Sequence, residues 1–359
     1  MTADAPKPRR KSIALRVFAT LALLLVLGIG ATMGAAWWAM KRFDAPGPLA
    51  DETLVMLDQG DGLNAIAAKL KAAGVFAPDD LLGLGVLDDL AIFKLGVRYA
   101  ENQGKLKAGE YKIPAHASMR QVMDLLVAGK VIQYKVTAAE GLTSQMILRI
   151  VLADPVLTGE ARAAPAEGTL LPETYLFTRG TTRTDMLRRM AKAHDDAVEK
   201  LWAARRKDLP YTTVEEAVIL ASIVEKETGL AAERPLVASV FVNRLRKGMK
   251  LQSDPTIIYG LTGGEPLGHP LRRSEMDKPN PYNTYQIPGL PPGPICNPGR
   301  ESLAAVMNPP DTDYLFFVAD GTGGHAFAAT LEEHNRNVEK LREIERKRAA
   351  EDKAREGGQ

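Results

Sequence analysis

The stretch AVILASIVEKETGL, Ala217–Leu230, carries an apolar run straight into Glu-Lys-Glu-Thr and then stops at a glycine. Each residue of a helix advances by about 100°, so its faces can be drawn from the sequence. Ala217, Leu220 and Val224 share the centre of the apolar sector. Lys226 points almost directly away from it, alongside Ser222, and Glu225 lies on the flank near Val218 and Ala221. Glu227 falls between Leu220 and Ile223, inside the apolar sector. Desolvation disfavours the anion, so a carboxyl against aliphatic side chains rises from a pKa of about 4.3 toward the ~6–7 that suits proton donation and return near neutrality. The plain alternative is that Glu227 pairs with Arg234 or Arg244 and helps to stop the helix.

The neighbouring segments frame this helix. It opens at YTTVEEAVI, where Thr212 and Thr213 each stand three residues before a glutamate, a capping-box pattern, and Gly229 provides the stop. Pro235 opens another helix, PLVASVFVNRLRKG, closed by Gly248. Upstream, EGTLLPETYLF (Glu167–Phe177) is a dense cluster of Gly, Pro and aromatic residues, followed by the helical TDMLRRMAKAHDDAVEKLWAARRK. Downstream, LQSDPTIIYG and PNPYNTYQIPGLPPGPICNPGRESLAAVMNP lack regular periodicity. Tyr259, Tyr282, Tyr285, Ile287 and Leu290 punctuate them, so an ordered binding loop is expected rather than disorder. YLFFVAD-GTGG-HAFAAT reads as a β-hairpin, and Thr330 caps a last helix with Glu333 three residues on.

At the other end, the basic cluster KPRRK (Lys7–Lys11) precedes an uncharged run from Val17 to Met40 that ends near Trp37 and Trp38. Its length of about 24 residues suffices to cross a bilayer as a helix, and exceeds the roughly 7–15 apolar residues of a cleavable signal. The basic residues before it favour a cytoplasmic N-terminus. A net charge of +2 and the lack of a basic stripe argue against a nucleic-acid partner. The five histidines show no ligand spacing, so neither a metal nor a cofactor is expected, and Cys296, the single cysteine, reads as a small apolar filler. Between the span and the central helix, TLVML, a Gly/Asp turn, a helix ended by Gly74, a strand at Tyr111–Pro114 and a helix capped by Ser118 describe a small module. Met119, Val122, Met123 and Leu126 share a face of that last helix. Periodicity leaves open whether such a module binds polymers or serves as a spacer.

SIVEKETGL resembles the Glu-Ser signature that ends an apolar helix in lysozyme-like lytic transglycosylases, with Glu227-Thr228 at that position. Along nearly its whole length the chain resembles the YceG/MltG-like endolytic murein transglycosylases. The matching strings include LKAGEY, EGLTSQMI, EGTLLPETYLF, ILASIVEKET, VASVFVNRL, LQSDPTIIYG, PYNTYQIPGLPPGPICNPG and YLFFVADGTGGHAF.

The resemblance implies an α+β protein with one transmembrane helix, a LysM-like module and a mixed catalytic domain with a lysozyme-like catalytic helix. The corresponding segments are a basic tail (1–16), the span (17–40), a linker (41–52), the module (53–135), the catalytic domain (136–342) and a charged tail (343–359). It implies non-hydrolytic cleavage of MurNAc-β-1,4-GlcNAc bonds in peptidoglycan strands, with Glu227 as the proton donor and acceptor. A peptidoglycan synthase is the implied partner and the inner membrane, with the catalytic domain periplasmic, the implied location. Asp254 is the candidate helper carboxylate, or else an Asx turn before Pro255. Gln252, Asn283 and Tyr285 are candidate sugar contacts, and Glu173 stands where the family commonly has a carboxylate. Thr228 orients the acid or caps the helix, and Glu225 is the alternative acid. Two rival readings are a muramidase using Glu227 with Asp254, and a glycan-binding scaffold without activity.

Overall fold

A computed structural model describes residues 10–77 and 88–356, a mixed α+β chain in two compact units, 1–133 and 134–359. Most of the basic cluster and the end of the charged tail lie outside the described residues.

The first unit begins with α1 (Arg10–Asp44), whose stretch Leu15–Asp44 is long and apolar enough to cross a membrane. Leu21, Leu25 and Trp37 are exposed, as an apolar helix outside any protein core must be. The segment expected as linker from residue 41 instead starts as the last turn of α1. Phe43 is buried there, and Trp38 and Ala39 pack against the same core. Arg42 holds Asp89 through a two-toothed ion pair at 2.8 and 2.7 Å. Gly96 makes this docking possible, since a Cβ there would stand 2.3 Å from the Phe43 ring.

The rest of the unit is β1 (Thr53–Leu57), α2 (Leu63–Ala72), α3 (Asp89–Tyr99), β2 (Gly109–Ile113) and α4 (Met119–Ala128). β1 and β2 pair antiparallel with Val55 opposite Tyr111. Ser118 and Gln121 form a reciprocal capping box on α4, and Met119, Val122, Met123 and Leu126 turn inward from it.

In the second unit β3 (Tyr134–Thr137) pairs antiparallel with β4 (Thr174–Phe177), and α5 (Ser144–Ala153) and α6 (Arg183–Ala203) supply the helical residues of their core. A second core is built around α7 (Val214–Glu227), which packs on α8 (Arg234–Arg246), α9 (Asp254–Thr262) and α11 (Arg300–Met307). The short α10 (Arg273–Met276) lies in the connection to α11. The hairpin β5 (Phe316–Ala319) and β6 (His325–Ala328) leads into α12 (Leu331–Glu356).

Two sequence expectations change. The aperiodic region after Gly248 contains a regular helix, α9, hidden because Pro255 sits in its first turn, where a missing N–H costs nothing. Ser222, expected on the wet face of α7, is fully buried; its hydroxyl donates to Ile219 O at 2.7 Å and accepts from Ile295 N at 3.0 Å. The loop around Ile295 covers that face, so α7 is enclosed on nearly all sides and only Lys226 near its end is exposed.

Phe241 of α8 is 1% exposed and meets Phe317 of the hairpin edge-on at 5.9 Å. Phe241→Ala is expected to cost about 3–5 kcal/mol, read as a lowered midpoint in denaturant unfolding.

Candidate active site

The capping box of Thr213 and Glu216 sets the start of α7, and fourteen residues later the helix ends on Glu227. An anion is disfavoured there twice over: the helix C-terminus is the negative end of the dipole, and burial strips the carboxyl of water. Burial pushes Glu227 up to about 7, and the charge of Asp254 acts in the same direction. The Ser253 hydroxyl donating to Oε1 and the positive charge of Arg244 moderate the rise. The residue keeps partial solvent access, so its proton can be exchanged.

Glu227 pairs with neither arginine proposed for it. Arg244 spends its guanidinium on backbone carbonyls, with Nε donating to Leu315 O at 2.6 Å and Nη1 to Leu251 O at 2.7 Å. Arg234 serves Glu225. Its Nη2 donates to Glu225 Oε1 at 3.2 Å and Glu140 Oε2 at 2.7 Å, and its Nη1 to Glu301 Oε2 at 2.5 Å. The second oxygen of Glu225 accepts from Gly299 N at 2.8 Å. Glu225, expected on the helix flank, is therefore buried and fully engaged in a clamp joining α7, α8 and α11.

The loop before α9 carries the helper groups. Gln252 has a left-handed backbone (φ 55°), unusual for a side-chain-bearing residue. Ser253 follows, buried, its N–H donating to Thr284 Oγ1 at 2.9 Å. Asp254 is the exposed first residue of α9 rather than an isolated turn, and Oδ1 accepts the Tyr285 hydroxyl at 2.7 Å. Glu227, Ser253, Asp254 and Tyr285 are thus joined in one cluster, with the exposed Gln252 beside it.

Three other candidates stand apart. Asn283 is fully buried, with Nδ2 donating to Met276 O at 2.7 Å and Oδ1 accepting from Tyr285 N at 3.1 Å, so it holds the loop. Glu173 makes an exposed ion pair with Arg300 at 3.1 Å. The Thr228 hydroxyl accepts from Leu230 N at 3.0 Å and donates to Glu233 at 3.4 Å, not to Glu227.

Sequence reading missed Ser253, whose only signal was its place in LQSDPT, and Glu167. Burial raises the Glu167 carboxyl, but Ser144 N, Asn297 Nδ2 and Tyr259 OH all donate to it, at 2.8, 3.1 and 3.5 Å, marking a structural acid.

A carboxyl raised toward neutrality by burial, near a second carboxylate and at the edge of solvent, is suited to giving and taking back a proton. The chain belongs to the YceG-like family, whose sequence model matches residues 55–340. An endolytic murein transglycosylase of Bacillus subtilis (strain 168) is 40% identical over 177 residues, 49% of this chain and 48% of that relative. A protein of the same name from Streptococcus pneumoniae serotype 2 (strain D39) is 33% identical over 248 residues, 67% of this chain and 41% of the relative. The match thus spans less than half the length of either. The crystal structure of a YceG-like protein from Listeria monocytogenes covers 80% of this chain and 99% of its own at 30% identity, with a TM-score of 0.47.

Two predictions follow from the opposite treatment of the two glutamates. Arg234→Met leaves Glu225 buried without its cation and is expected to destabilise the second unit by about 3–5 kcal/mol, measured by denaturant unfolding. Glu227 titrates near 7 when folded but from 4.5 as a free group, so between these values the folded state binds the extra proton and stability falls as pH rises. Glu227→Gln, which cannot ionise, should melt close to wild type at pH 5 and roughly 5–10 °C above it at pH 8.5.

Proposed function

We propose that the protein is a membrane-anchored endolytic peptidoglycan transglycosylase that cuts MurNAc-β-1,4-GlcNAc bonds and leaves 1,6-anhydro-MurNAc ends. The observation that carries this reading is the desolvated carboxyl of Glu227 at the end of α7, raised to about 7 and held by Ser253. Family membership and relatives named endolytic murein transglycosylase support it.

In this mechanism Glu227 gives its proton to the glycosidic oxygen as the C1–O bond breaks. The carboxylate so formed accepts the proton of the muramoyl C6 hydroxyl, whose oxygen closes onto C1. Every proton is returned and no water enters. The nucleophile is part of the substrate, so proximity does the work of an activated water. Asp254, kept in place by Tyr285, offers negative charge to the developing oxocarbenium ion, and Gln252 and Tyr285 contact the sugars. α7 plays the part of the catalytic helix of lysozyme-like enzymes.

The remainder of the chain sets where the reaction happens. α1 anchors the protein in the inner membrane with the basic N-terminus cytoplasmic, and the module near residues 53–135 is LysM-like. A catalytic domain tethered this way meets newly made strands close to the membrane. It limits their length beside a peptidoglycan synthase.

The test is product analysis by mass spectrometry on purified glycan strands. Wild type is expected to release anhydro-ended fragments, and Glu227→Gln to lose at least ~100-fold in rate while remaining folded. Reducing ends would assign a muramidase using Glu227 with Asp254 and delivering water. Binding without any shortening of strands would leave only a scaffold.

A further inference from the structure

The hairpin motif DGTGGHAF, Asp320–Phe327, has no role in the mechanism above, yet it is built onto the end of α7. Asp320 Oδ1 cages the turn by accepting from Thr322 N at 2.7 Å, Thr322 Oγ1 at 2.8 Å and Gly324 N at 3.2 Å. A Cβ on Gly324 would stand 2.7 Å from Glu233 Oε1, so the glycine lets the hairpin lie directly on that carboxylate. Glu233 Oε1 then accepts from His325 N at 2.8 Å, and Glu233 Oε2 meets His325 Nδ1 at 2.6 Å. The same Oε2 accepts from Thr228, the residue that follows Glu227. Phe317 braces the ring edge-on from the neighbouring strand, centroids 5.4 Å apart.

The partners settle the tautomer. A ring nitrogen 2.6 Å from a carboxylate oxygen must carry a hydrogen, because two lone pairs at that distance repel. Nδ1 is thereby occupied. Nε2 has no partner among the described residues, and the side chain is 19% exposed. Through Glu233 the imidazole is linked to Thr228 and so to the end of α7 that carries Glu227. An imidazole locked at one nitrogen, open at the other and tied to the helix end that carries Glu227 is placed to meet a ligand rather than to fill a core.

We propose that His325, oriented by Glu233, is a further substrate-contacting residue, whose Nε2 accepts a hydrogen bond from a hydroxyl of the sugar on which Glu227 acts. The contact fixes the angle of that ring at the cleavage point. The inference rests on the transglycosylase reading, deepening its site by a group on a separate element of the fold. Glu233 is a positioning residue in this arrangement, because it acts on the sugar only through the imidazole.

The full-length protein in detergent, acting on uncrosslinked glycan strands, provides the test. His325→Asn places an amide N–H where Nδ1–H was, keeping the link to Glu233 while deleting Nε2. It is expected to melt near wild type and to lose about 10- to 100-fold in kcat/KM. A folded variant within about 3-fold of wild type would overturn the proposal. An effect on geometry alone is separated by ¹⁵N-histidine NMR of Glu227→Gln, which retains His325 and is expected to bind strands uncut. The Nε2 resonance of His325 should move on adding strands, and no movement at saturation would overturn the contact even if His325→Asn is slow or unfolded. Wild-type cleavage rates in Glu227→Gln would sink the proton-donor assignment instead, leaving the His325 rate comparison to be judged on its own.

Discussion

Two carboxyls share the buried last turn of one helix, and the second unit is organised by the need to neutralise both. Glu225 is met by a guanidinium and a backbone N–H, Glu227 by a proton that it holds to about pH 7. Burying either as a bare anion would cost several kcal/mol, more at the negative end of a helix dipole. The first solution is static and binds α7 to α8 and α11. The second is reversible, because the proton can leave.

The division explains why the site stands on rigid elements. Arg234 ties Glu225, Glu140 and Glu301 together two residues from the exchangeable acid. On the other side Ser253 and Thr256 are fixed by Thr284 in a buried set of hydroxyls. Glu227 thus meets Ser253 and Asp254 at a fixed position, which proton transfer over one hydrogen-bond length requires. The left-handed Gln252 is the local strain that turns the chain into this loop.

Local chemistry made much of the fold readable. The Thr213 and Ser118 capping boxes, the Pro235 helix start, the β5–β6 hairpin and the inward face of α4 follow rules that act within a few residues. α9 was hidden because its strongest local signal, a proline, marks a helix start as readily as a break. Asn283 looked like a sugar contact because an amide in a loop can serve either a ligand or the backbone, and only packing decides which.

Sequence alone determined the apolar first helix and the extent of α7, since helical periodicity and capping act within a few residues. Tertiary structure decided what stands opposite each face. Nothing local announces that the loop at Ile295 covers Ser222, that Arg234 answers Glu225, or that a hairpin about a hundred residues away brings His325 onto Glu233. Those pairings join segments far apart in the chain. Their energies come from mutual burial, which exists only once the segments have met.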